Sequence, residues 1–138
     1  MIEQQIKHLE MLEAVIQRMV DNSFKLKEWT VALISVLGVL SSQGTDKRFM
    51  LIVFLPLFAF WGLDAFYLQL ERKYRILYKN VISNHASEFC MDTRSIVATG
   101  NDLKGICFFN CLFSKTELVF YATIGVVMGG LMHFLSVF

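Results

Sequence analysis

The sequence predicts an all-α integral membrane protein. A long amphipathic N-terminal helix leads into a transmembrane helical hairpin with a cytoplasmic extension, a third transmembrane helix follows, and the whole forms an oligomeric bundle. Three observations predict this. The chain is 55% hydrophobic over 138 residues and holds 13 Phe and 7 Met, whereas soluble domains sit near about 45–50% apolar. Its apolar residues fall in long runs broken by short charged stretches. Its Lys and Arg residues cluster on alternate sides of those runs.

Residues 1–27 read as a cytoplasmic amphipathic helix. Ile2, Ile6, Leu9, Leu12, Ile16, Met19 and Leu26 recur at helical steps, which places them on one face. The stripe is narrow and suits a coiled-coil or bundle seam. A helix lying on the lipid surface is the alternative, and Glu3, Glu10, Glu13 and Asp21 make it less attractive beside an anionic leaflet. The opening stretch is charged throughout and lacks the apolar core of a signal peptide, so no cleavage is expected.

Residues 28–42 form the first transmembrane helix. The uncharged run is short for a bilayer core that needs about 20 residues. Lys25 and Lys27 extend it by snorkelling, and Trp29 stands where an interfacial aromatic belongs. Ser23, Thr30, Ser35 and Ser41 mark polar positions along it, where such hydroxyls usually bond back to their own helix. SSQGTDK then makes a tight polar turn. Residues 49–70 form the second transmembrane helix, with a kink expected at Pro56. So short a connection makes the two spans an antiparallel hairpin.

Residues 71–115 form a cytoplasmic helical extension and loop segment. Helical periodicity continues through Tyr74, Leu77, Tyr78 and Val81. Turn formers at Asn84, Gly100, Asn101 and Gly105 then predict a loop-rich stretch, with Gly100-Asn101-Asp102 as a turn and a short strand pair around Glu88–Ala98. CFFNCLF predicts an interfacial helix. Residues 117–138 form the third transmembrane helix. Lys and Arg number four in residues 1–27, two in 42–48 and seven in 71–115. The N-terminus is therefore expected in the cytoplasm and the C-terminus outside.

The odd count of 3 Cys argues against a disulfide framework. Cys107 and Cys111 stand four apart and Cys90 is separate. His85 is the nearest further ligand candidate, and no second pair completes a zinc site. Thiols packed as small apolar groups are the simpler reading. No cofactor is expected. No nucleophile elbow, phosphate-binding glycine loop or HExxH motif is present, so no enzymatic activity is expected.

Asp64 is the most informative residue. It stands about 22 Å along the second span from Phe49, at about 1.5 Å per residue, inside an apolar run where a charge costs a few kcal/mol unless paired or hydrated. Glu71 lies seven residues on, on the same face. Two readings fit. Asp64 and Glu71 ring the cytoplasmic mouth of a cation path shared between subunits, or Asp64 pairs with Lys25 or Lys27 across the hairpin. Gly125 and Gly129 make a GxxxG pair, with Gly130 beside it, fitting either an oligomer contact or packing within the chain. His133 reads as an interfacial residue or a gate. Arg72, Lys73, Arg75 and Lys79, interleaved with Tyr74 and Tyr78, would meet lipid headgroups or bind an anionic ligand.

Three stretches carry a resemblance: NSFKLKEWTVAL at 22–33, FWGLDAFYLQLERKYRILYKNV at 60–81 and FSKTELVFY at 113–121. With the long N-terminal helix they cover most of the chain. It resembles small bacterial membrane proteins encoded in phage-defence operons, a group that includes SLATT-type proteins, Hailong-type channel components and RipA-type octameric membrane proteins. The resemblance implies a homo-oligomeric inner-membrane ion channel or pore, acting as an abortive-infection effector gated by a partner enzyme. In the Hailong-like case that partner is a nucleotidyltransferase making a nucleotide signal. It also places Asp64, Glu71 and Arg72 among the positions of functional weight. The alternative is a membrane anchor that recruits a soluble partner protein.

Overall fold

The computed structural model describes residues 2–43, 48, 52, 54–83 and 100–137. All described regular structure is helical. The elements are α1 (Ile2–Ser42), α2 (Phe54–Ile82), α3 (Gly100–Ile106), α4 (Phe108–Leu112) and α5 (Lys115–Val137). At 41 residues, α1 is a single helix about 60 Å long. The expected amphipathic helix and first span are thus one unbroken rod. Nothing from Ile2 to Leu37 interrupts it, since that stretch lacks both Gly and Pro.

α1 and α2 pack side by side as an antiparallel hairpin. Leu12, near the start of α1, meets Leu77 and Val81 near the end of α2. Ile34, near the end of α1, shares a second apolar cluster with Leu57 near the start of α2. α5 completes that second cluster with Tyr121 and Met128. The apolar core is therefore split into two parts along the hairpin. The N-terminal stripe is spent largely within the chain, because Leu12 is fully buried against α2 with Leu9 beside it.

α3 and α4 form a small helical pair docked on α2. Gly100-Asn101-Asp102, expected as a turn, is instead the first turn of α3. Two effects outweigh the local turn preference. Asp102 places an acid in the first turn, where the helix dipole favours it. At the other end, carbonyls that lack a helical partner are taken by side chains. Gln69 Nε2 donates to the Ile106 carbonyl at 2.9 Å, Arg72 to that of Gly105 at 2.8 Å and Asn110 Nδ2 to that of Lys104 at 2.5 Å. α4 lies where CFFNCLF predicts a helix, and Trp61 Nε1 donates to the Leu112 carbonyl at 3.1 Å. The strand pair expected around Glu88–Ala98 lies outside the described residues, as do His85 and Cys90.

Among the described residues one stretch, Lys115–Phe134, is long and apolar enough to cross a membrane, with a mean hydropathy of 1.4 over 20 residues. The expected first span is the end of α1. Part of the expected second, at Phe49, Met50, Leu51 and Val53, falls outside the described residues.

Candidate functional site

Between the two apolar clusters lies a buried polar layer. Three helices build it, each from residues on its inward face. α1 contributes Ser23 and Lys27, one helical turn apart. α2 contributes Asp64, and α5 contributes Glu117 and Tyr121, again one turn apart. Asp64 is 0% exposed, and the side chains of Glu117 and Lys27 are 4% and 16% exposed.

Lys27 holds the layer together. Its ammonium group lies 2.5 Å from Asp64 Oδ2 and 3.0 Å from Glu117 Oε1, and it donates to Ser23 Oγ at 3.1 Å. A lysine has three N–H donors, and these three acceptors use them all. Ser23 donates its hydroxyl to Asp64 Oδ1. The Tyr121 hydroxyl donates to Asp64 Oδ2 at 3.1 Å. Both oxygens of Asp64 are therefore satisfied, whereas Glu117 Oε2 is buried with no hydrogen-bond partner. The Phe120 ring centroid lies 5.8 Å from the Lys27 nitrogen, within the range where a cation is attracted to an aromatic face.

No protein-family model, no curated protein and no solved structure matches the chain. The assignment of its residues therefore rests on geometry.

That geometry sorts the residues singled out from sequence. Asp64 makes the ion pair across the hairpin, and of the two candidate partners Lys27 reaches it while Lys25 points outward. The Asp64 carboxylate is enclosed within the chain rather than presented to an open path. Glu71 does not join it, because its carboxylate accepts from Arg75 Nε at 2.8 Å one turn along α2. Arg72 is turned onto α3 and α4, where it reaches Gly105, Cys111 Sγ at 3.7 Å and Ser114 Oγ at 3.4 Å. The basic cluster Arg72, Lys73, Arg75 and Lys79 is thus divided: one member clamps the small helices and another pairs with Glu71.

A methyl group added at Gly125, Gly129 or Gly130 would meet nothing within 4 Å. Gly129 and Gly130 are exposed, whereas Gly125 is half-buried and lines an apolar cavity between α2 and α5 with Leu57, Phe58 and Trp61. Thr30 and Ser35 bond back to the carbonyls of Leu26 and Val31, each at 2.7 Å, as expected. Ser23 departs from that expectation because the Asp64 carboxylate is the stronger acceptor.

Two members of the layer, Glu117 and Tyr121, were not singled out from sequence. Their signal was an acid opening a long apolar run, with a tyrosine four residues on and therefore on the same helix face. Cys107 is exposed and Cys111 is buried. Among the described residues no group of three or more His, Cys, Asp or Glu is placed to hold a metal ion.

Proposed function

We propose that this chain is an integral membrane protein acting as a homo-oligomeric ion channel, the effector arm of a bacterial phage-defence system. The observation that carries the membrane reading is where the large apolar side chains point. Trp29, Val36 and Val39 on α1, Leu55 and Phe58 on α2, and Val119, Val126 and Phe134 on α5 are all exposed. Soluble monomers rarely expose contiguous apolar surface on this scale, and lipid tails remove the cost. By this reading α1 beyond Lys27, the start of α2 and α5 are the three spans. The other end of the hairpin, with α3 and α4, lies in the cytoplasm.

The exposed Gly129, paired with the half-buried Gly125 in a GxxxG spacing, supports assembly, since small residues let helix backbones approach closely. Three spans cannot enclose a water path, so the pore is shared between copies. The effector role, and a partner enzyme that supplies a nucleotide signal, follow from the resemblance of residues 22–33, 60–81 and 113–121 to defence-operon membrane proteins.

A second reading, a membrane anchor that recruits a soluble partner, is favoured by the enclosure of Asp64, which leaves no open acidic path within one chain. Ion flux from loaded liposomes separates the two. A channel passes ions when the activating nucleotide or partner is supplied, whereas an anchor leaves the vesicles sealed.

A further inference from the structure

The polar layer contains one cation and two carboxyl groups. Lys27 offers a single positive charge, and Asp64 and Glu117 would carry two negative charges if both were ionised. The layer would then hold one uncompensated negative charge in a buried position. An unpaired buried charge is among the most costly arrangements a fold can adopt.

The hydrogen bonding shows the same deficit. The three donors of Lys27 are used, the Ser23 and Tyr121 hydroxyls are spent on Asp64, and Glu117 Oε2 has no donor. The Glu117 and Asp64 carboxyls both lie against the Lys27 ammonium, Oε1 at 3.0 Å and Oδ2 at 2.5 Å, so they stand close to one another around it. As two anions they repel. With one proton between the two groups the layer becomes neutral.

We propose that Lys27, Asp64 and Glu117 form a proton-binding site, with the proton carried on the Glu117 carboxyl, whose Oε2 is buried without a partner. The charged and titratable groups facing Glu117 are Lys27 from α1, Asp64 from α2 and Tyr121 from α5 itself. The inference does not depend on whether the chain conducts ions.

The site has a consequence for motion. Glu117 stands in the first turn of α5, and the links from Glu117 to Lys27 and from Tyr121 to Asp64 tie that end of α5 to the hairpin. The docked arrangement is neutral only while that proton is held, and its loss leaves one buried negative charge uncompensated. Docking of α5 therefore weakens as pH rises. The layer acts as a proton-dependent clasp between α5 and the α1–α2 hairpin.

Isotope-edited infrared spectroscopy of the full chain in lipid nanodiscs, labelled with ¹³C at the glutamate carboxyls, tests this. The expected result is a protonated-carboxyl C=O band at neutral pH that shifts with the label, fades as pH is raised and is lost in Glu117→Gln. The absence of such a band in the unsubstituted protein, or its survival in Glu117→Gln, overturns the proposal. The unsubstituted spectrum alone decides the matter if the variant fails to fold. A spin-label distance between the start of α5 and the middle of α1 should lengthen at alkaline pH in the unsubstituted protein and lose that dependence in Glu117→Gln. A distance indifferent to pH in the unsubstituted protein overturns the clasp.

Discussion

The Lys27 ammonium and the Asp64 carboxylate meet 2.5 Å apart although 37 residues separate them in the chain. They meet where α1 and α2 cross between the two apolar clusters, and α5 closes over them with Glu117 and Tyr121. The pair thus fixes both the register of the hairpin and the seat of the third long helix.

Removal of Lys27 leaves Asp64 and Glu117 buried without a cation, and Asp64→Lys sets two ammonium groups against the single Glu117 carboxyl. Breaking a buried pair in this way costs about 3–5 kcal/mol. Lys27→Met and Asp64→Lys should each lower the thermal unfolding midpoint of the detergent-solubilised protein sharply. Lys27→Glu combined with Asp64→Lys restores a pair of opposite charges. The double variant should be more stable than Asp64→Lys alone. Loss of the same stability in the double variant would show that the cross-hairpin pair is not what Asp64 provides.

Arg72 predicts how the cysteines behave. Cys107 is exposed, while Cys111 is fully buried beneath Arg72. A thiol reagent should modify Cys107 readily and leave Cys111 protected. Burial pushes the Cys111 thiol above its ordinary value of 9.0, against a smaller downward pull from Arg72. The folded thiol therefore stays neutral to a higher pH than the unfolded one. Its contribution to stability is complete below about 9.0 and is lost as pH climbs above it. Arg72→Met removes the donors that hold α3 and α4, which costs about 1–3 kcal/mol. Labelling of Cys111 should then rise severalfold, by mass spectrometry of the modified peptide, with Cys107 unchanged.

The glycine face predicts assembly. Gly129 is exposed and a side chain there starts into open space within the chain, so the fold should survive Gly129→Leu. A close helix contact between copies should not. Native mass spectrometry from detergent should show the oligomer distribution shifted toward the monomer by about tenfold, equivalent to about 1.4 kcal/mol. An unchanged distribution would place the subunit contact elsewhere.

Much of the hairpin was legible in the sequence. The short connection between two apolar runs imposes antiparallel packing, and that packing brings the basic end of the first run to the acid in the second. A pair of Asp64 with Lys25 or Lys27 is thus one of the two readings the sequence allows, and the fold selects Lys27. The rest of the polar layer was not. More than fifty residues separate Asp64 from Glu117, so connectivity does not set the register of the third long helix against the hairpin. Ser23 obeys a local rule until a carboxylate from another helix offers a better acceptor. Gly100, Asn101 and Asp102 favour a turn when read alone. They become helical because Gln69, Arg72 and Asn110, distant or downstream in sequence, cap the carbonyls at the far end of α3.

In the proposed arrangement lipid covers the outward apolar faces of α1, α2 and α5. The two tryptophans report on this directly. Trp29 is 66% exposed on α1, whereas Trp61 is half-buried against Tyr121 with its indole N–H bonded to Leu112. In vesicles whose acyl chains carry bromine, Trp29 fluorescence should be strongly quenched, with Trp29→Phe isolating the weaker response of Trp61. Tryptophan emission indifferent to brominated lipid, from protein that stays folded and dispersed in buffer without detergent, would contradict it.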